Sequence, residues 1–254
     1  MLYGTNLTGG SAGLGTVFQL APPAAPGGLW TETILHSFQG GNDGAQPFSG
    51  VLIGPNGVLY GSTPADGGTL GTVFELTPPS APGGAWTHTV FYNCREDPKD
   101  GWSPSGSLAT DSNGVIYGAT SGGGDSGLGT VFAVTPPAAP GGSWTETVLH
   151  SFTGTDGAYP YDGVIMGDHG VLYGATFGAK RGANGTVYAL QPPAVPGAVW
   201  TLAVLHRFAA GAGEIYGGLT LGPNGAIFGT TQIGGVSNAQ CTYGTCGTVF
   251  SVLP

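Results

Sequence analysis

Apolar and polar positions alternate along this chain in short runs, and each run is ended by Gly, Pro or Asn. The stretch from Gly50 to Cys94 shows the pattern. Runs at 51–54 and 58–62 flank Pro55-Asn56-Gly57, and runs at 72–76 and 86–94 flank a break at Pro78, Pro79, Pro82, Gly83 and Gly84. Such alternation predicts half-buried strands, because successive side chains of a strand point to opposite faces. Asn and Gly tolerate the positive φ of a tight hairpin, so Pro55-Asn56-Gly57 predicts a turn. The fourth run is rich in Thr, Val and aromatic residues, which suit a pleated surface. No segment shows helical spacing of apolar residues, so one unit is four antiparallel strands.

The unit recurs. Gly-Thr-Val-Phe or its variant starts at Gly15, Gly71, Gly129, Gly185 and Gly247, after steps of 56, 58, 56 and 62 residues. A Leu-Tyr-Gly-like run precedes each copy, and Trp30, Trp86, Trp144 and Trp200 follow the first four. Radially repeated four-stranded units predict an all-β fold, a β-propeller of about five blades, with another repeated sandwich or barrel as the alternative. The chain is one repeat domain, 1–254, with units near 1–49, 50–105, 106–162, 163–217 and 218–254. Met1 aligns with Val58 and Pro254 with Pro78. The first blade is thus expected to lack its innermost strand and the last its outermost. Unpaired edges recruit other strands, so self-association and a longer parent chain are both expectations here.

Composition narrows the function classes. The chain holds 51 Gly and 20 Pro, yet 40% of its residues are apolar and only 7% charged, which is the reverse of a disordered composition. Five Lys plus Arg against fourteen Asp plus Glu give a net charge of −9, which opposes nucleic acid and anionic membranes as partners. No apolar run is long enough to span a bilayer, and no signal-peptide block stands at the start. Cys241 and Cys246 bracket a short stretch and suggest either a disulfide or two loop thiols.

The series Leu172-Tyr173-Gly174, Gly129-Thr130-Val131-Phe132, Leu149-His150-Ser151-Phe152 and Asp156-Gly157 resembles the GloVer tandem-repeat family of secreted or surface-anchored bacterial proteins. The resemblance covers nearly the whole chain. It implies a propeller and an extracellular setting, secreted or at the cell surface, and it brings no catalytic residues.

Candidate chemistry lies at repeated and at deviating positions. The fourth strand carries His36, His150 and His206, with Tyr92 in the matching place; Asp43, Asp100 and Asp156 follow, each before a Gly, with Glu214 near the fourth place. His–Asp or Tyr–Asp pairs would pin the loops between blades; the alternative is an acidic ring or cation site. By strand alternation His36 is expected to share a face with Trp30, Ile34 and Phe38. Tyr60, Tyr117, Tyr173 and Phe228 recur as ligand platforms or as blade packing. The insertion 94–102 offers Arg95 and Trp102 as a ligand lip, or is a solvated loop. Cys94 stands where other units have Phe and reads as an inert thiol. Glu32 and Glu146 are repeat decoration, not an acid/base pair. Asn6 and Asn184 begin glycosylation patterns that matter only in a secretory host.

These features predict no cofactor, no metal and no membrane insertion. The leading expectation is a non-enzymatic extracellular propeller binding a glycan or protein on a loop-bearing face. The alternatives are a self-assembling subunit joined through its incomplete blades, and an enzyme using Arg95, Glu96, Asp97 or Asp100.

Overall fold

The computed structural model describes all residues except 65–68, 82, 95–96, 98, 140, 179–184, 196, 210–212, 238–240 and 242–244. Five antiparallel sheets follow one another along the chain. Blade 1 has β1 (Leu2–Asn6), β2 (Thr16–Ala21) and β3 (Thr31–Ser37). Blade 2 has β4 (Leu52–Ile53), β5 (Leu59–Thr63), β6 (Thr72–Thr77) and β7 (Thr87–Asn93). Blade 3 has β8 (Gly101–Thr110), β9 (Ile116–Gly123), β10 (Thr130–Thr135) and β11 (Thr145–Ser151). Blade 4 has β12 (Val164–Met166), β13 (Leu172–Thr176), β14 (Thr186–Gln191) and β15 (Thr201–Arg207). Blade 5 has β16 (Gly217–Leu221), β17 (Ile227–Thr231) and β18 (Thr248–Val252). This is a five-bladed β-propeller, three strands in its first and last blades and four in the others. The innermost strands line the axis, where β12 lies against both β8 and β16.

Local chemistry explains the blades. Asn56 and Asn224, each before a Gly, adopt φ of 56° and 61° in the innermost hairpins, as a two-residue primed turn demands. In blade 3 the Asp111 carboxylate replaces that device, accepting the amides of Asn113 and Val115 at 2.9 and 3.0 Å. A threonine hydroxyl pair ties the second and third strands of blades 2 to 5, as in Thr63–Thr72 at 2.8 Å and Thr120–Thr130 at 2.7 Å. Gly44, Gly101 and Gly157 lie on the pairs of blades 2, 3 and 4, where a Cβ would strike the hydroxyls. That contact is why each loop Asp is followed by Gly.

Each four-stranded or outer pairing carries a bulge at the same place. Val17 pairs with His36 and Phe18 with Ile34, so Leu35 is extra, as are Phe91, Leu149 and Leu205 in blades 2 to 4. An added residue turns the following side chains to the other face. The expectation that His36 shares a face with Trp30 and Ile34 is therefore corrected. Trp30 and Ile34 are exposed on one side of blade 1, while His36 and the fully buried Phe38 turn toward blade 2.

Four apolar cores join the five blades, each built from the Val of one Gly-Thr-Val-Phe motif and the aromatic ring of the next. Val17 meets Phe74, Val73 meets Phe132, and Val131 meets Tyr188, while Val187 packs near Phe250. Full burial of such side chains contributes about 1.5–3 kcal/mol each. Among the described residues no fifth core joins blade 5 to blade 1. Val249 is 79% exposed, where its four counterparts are wholly buried, and Leu2 is 56% exposed, where Leu59, Ile116, Leu172 and Ile227 are wholly buried.

Candidate functional site

Two kinds of polar site lie where blades meet. The first is a set of pins. His150 Nε2 lies 2.8 Å from Asp156, His36 Nε2 lies 3.1 Å from Asp43, and the Tyr92 hydroxyl donates to Asp100 at 2.6 Å. Each carboxylate thus turns back onto the strand before it. Asp156 also accepts the Thr153 amide and hydroxyl, both at 2.9 Å. Burial alone would raise its pKa, but these bonds and His150 outweigh that and hold the carboxyl below its usual range. In the fourth copy His206 is exposed beside Phe208.

Blade 2 adds His88, which the repeat does not announce: Glu32, Glu146 and Leu202 hold the matching positions. Its Nδ1 lies 3.0 Å from the second oxygen of Asp43, and its ring stacks on His36 at 4.0 Å and 12°. These three residues are the one set of metal-capable donors among the described residues. A metal must lie near the plane of each imidazole that binds it, and two stacked parallel rings share no such point. The two carboxylate oxygens fit the two rings instead. Burial, followed by His36, lowers His88 to about 4, so the ring is neutral at physiological pH.

The second kind of site is a cavity of about 240 Å³ on the propeller axis, lined by Phe48, Ser49, Ser107, Tyr161, Asp162 and Tyr216 together with glycines. The cavity is built by close backbone approach. The Ser107 amide donates to the Asp162 carbonyl at 2.9 Å, and a Cβ at Gly106 or Gly163 would overlap the facing backbone. Asp162 is only 5% exposed, and its Oδ2 has no hydrogen-bond partner. Burial pushes this carboxyl up to about 7. The Tyr188 phenol, buried with its hydroxyl also unpartnered, is pushed up by burial and then by the charge of Asp162. Beside Asp162 the Tyr161 and Tyr216 rings stack at 5.6 Å, and Phe177 packs 5.0 Å from Tyr216. A buried unpaired acid on a cavity wall is the arrangement by which perturbed groups mark functional sites.

The remaining sequence candidates are placed elsewhere. Tyr117 and Tyr173 are buried in the cores between blades, and Tyr60 packs half-buried on Phe91. The Tyr117 hydroxyl donates to Asp111 at 3.2 Å. Trp102 is a half-exposed residue of β8 whose indole covers Gly122. Arg95 and Glu96 lie outside the described residues, as does Asn184; Asp97 accepts the Lys99 amide. Cys94 is a free thiol packed on the blade 2–3 core, and burial raises it far above the usual thiol range. Cys241 and Cys246 form a disulfide. Larger open grooves, of about 740 and 550 Å³, run beside Trp86 and Trp144 at the outer strands, and their described lining residues include no acid. Asp162, Phe48, Tyr161 and Tyr216 were not among the sequence candidates. The available signal was a charged residue at a position held elsewhere by Ser49, Gly106 and Gly217.

Fold and site together define a repeat propeller with an axial cavity. The Gloeobacter/Verrucomicrobia repeat family matches residues 1–139 and 71–254, and the chain belongs to that family. None of the curated proteins compared with the chain matches it. Among solved structures it is similar to the PQQ-bound aldose sugar dehydrogenase from Streptomyces coelicolor, with a TM-score of 0.59 and 16% identity over 94% of this chain and 71% of that one. It is also similar to luciferin-regenerating enzyme, with a TM-score of 0.53 and 17% identity over 100% of this chain and 78% of that one. At such identities the likeness carries the fold and no activity.

Proposed function

We propose that this protein is a non-enzymatic, extracellular binding module that takes a saccharide at its axial cavity. The observation behind this reading is the buried, unpaired Asp162 carboxyl beside the Phe48, Tyr161 and Tyr216 rings. Aromatic faces stack on sugar rings, and a polar wall fixes their orientation. The cavity lies below the usual span of about 300–1,000 Å³ for ligand pockets, which suits one sugar ring better than a chain. The Cys241–Cys246 disulfide supports an oxidising compartment. Titration of the protein with monosaccharides by calorimetry tests the reading. Saturable heat that Tyr216→Ala abolishes is expected, and no heat with any sugar would sink it.

A second reading is self-association. The open Val249 and Leu2 faces are the two halves of the contact that buries Val17, Val73, Val131 and Val187 within the chain. A second copy offering blade 1 to blade 5 would make a head-to-tail contact. Light scattering across a dilution series is expected to give masses above 25.2 kDa that Val249→Asp lowers; a constant monomer mass removes the reading.

A further inference from the structure

The axial rim has a symmetry that the repeat spacing hides. Phe48, Ser105, Tyr161 and Tyr216 occupy one position of four successive units, following Pro47, Pro104, Pro160 and Ile215. Pro47, Pro104 and Pro160 seat alike, against Gly15, Gly71 and Gly129. Three of the four residues are aromatic, and all three line the cavity. The next position reads Ser49, Gly106, Asp162 and Gly217, so a carboxyl enters this ring once. Among the described residues of the lining Asp162 is the one that carries a charge, in a chain whose net charge is −9.

A buried carboxyl without a hydrogen-bond partner is costly unless it is neutral or meets a cation. Aromatic faces carry negative potential and attract cations, most strongly where water is excluded. A neutral sugar would gain from the rings but leave the charge of the Asp162 carboxylate unanswered. We propose that the axial cavity selects an ammonium group, primary or quaternary, held against the rings of Phe48, Tyr161 and Tyr216 and paired with Asp162. This rests on the reading that the cavity is the ligand site, and it adds the chemistry of the group received there. The carrier is an amino sugar or a small free amine, and the experiment separates the two.

The test is calorimetry at neutral pH with two matched pairs: choline against its neutral isostere 3,3-dimethylbutan-1-ol, and glucosamine against glucose. Choline is expected to bind about tenfold more tightly than its isostere, and Asp162→Asn, which leaves the three rings in place, is expected to reduce that difference severalfold. Phe48→Ala, at a ring 67% exposed, should weaken choline severalfold with the melting temperature unchanged. Glucosamine binding above glucose supports both the ammonium group and the saccharide. Choline binding with neither sugar keeps the ammonium group and overturns the saccharide. Equal affinity within both pairs overturns the ammonium group while leaving a binding cavity, and an Asp162→Asn protein that prefers choline as strongly as wild type overturns the pairing with Asp162. No heat with any probe overturns both.

Discussion

Asp156 and Asp162 stand six residues apart in the connection between β11 and β12, and the fold treats them oppositely. Asp156 accepts bonds from the Thr153 amide, the Thr153 hydroxyl and His150, and its carboxyl lies below the usual range. Asp162 is more deeply buried, its Oδ2 has no partner, and its carboxyl is pushed up to about 7. One carboxylate is fully used in holding a loop to a strand. The other stabilises nothing in the chain that the described contacts reveal, and its residue is part of a cavity wall. The contrast separates a structural acid from one kept for a ligand, and it does so on bonding alone, since both sit in the same kind of loop.

The sharpest way to break this contrast is Asp162→Asn. A carboxyl whose folded value is raised binds protons more readily in the folded chain, so its ionisation works against folding. Its contribution to stability is full below the unfolded value near 3.9 and is lost as pH rises through about 7. The amide cannot ionise. The variant is therefore expected to be more stable than wild type in alkaline solution, by about 2–4 kcal/mol, with the gap closing toward acid. Urea melts at several pH values measure it. A variant that is less stable throughout would mean that Asp162 has a structural partner, and the contrast with Asp156 would fall.

The blades and the pins were legible in the amino-acid sequence because they repeat. Gly-Thr-Val-Phe or its variant marks the third strand of every repeat unit, and His36, Tyr92 and His150 each precede a loop aspartate by a similar interval. Two features were hidden for distinct physical reasons. The bulge at Leu35 has no residue signature, yet one extra residue moves His36 and Phe38 to the opposite face from Trp30 and Ile34. The axial site required the ring itself, because Phe48, Tyr161 and Tyr216 are distant in sequence and converge only when blades are arranged around an axis. Asp162 and His88 were open to a different comparison. Each is a departure from its repeat column, and departures show where a blade does more than pack.

Asp156→Ala sharpens the comparison from the structural side, with a smaller expected effect. It removes acceptors from the Thr153 amide and from His150 in a half-buried setting, and it leaves the Thr186 hydroxyl bonded to the backbone carbonyl of residue 156. A loss of about 1–3 kcal/mol is expected at neutral pH, because unpaired donors cost more than the bonds themselves contributed. The sign with pH is the reverse of that for Asp162. A carboxyl held below its usual range stabilises the fold above the unfolded value near 3.9 and loses that contribution as pH falls through the lower folded value. Wild type and variant should therefore converge in strong acid, where Asp162→Asn also meets wild type from the other side. If choline bound the Asp156→Ala protein as it binds wild type, the two acids would be separated in function as well as in stability. A parallel loss of choline binding would instead make the pin part of the axial site.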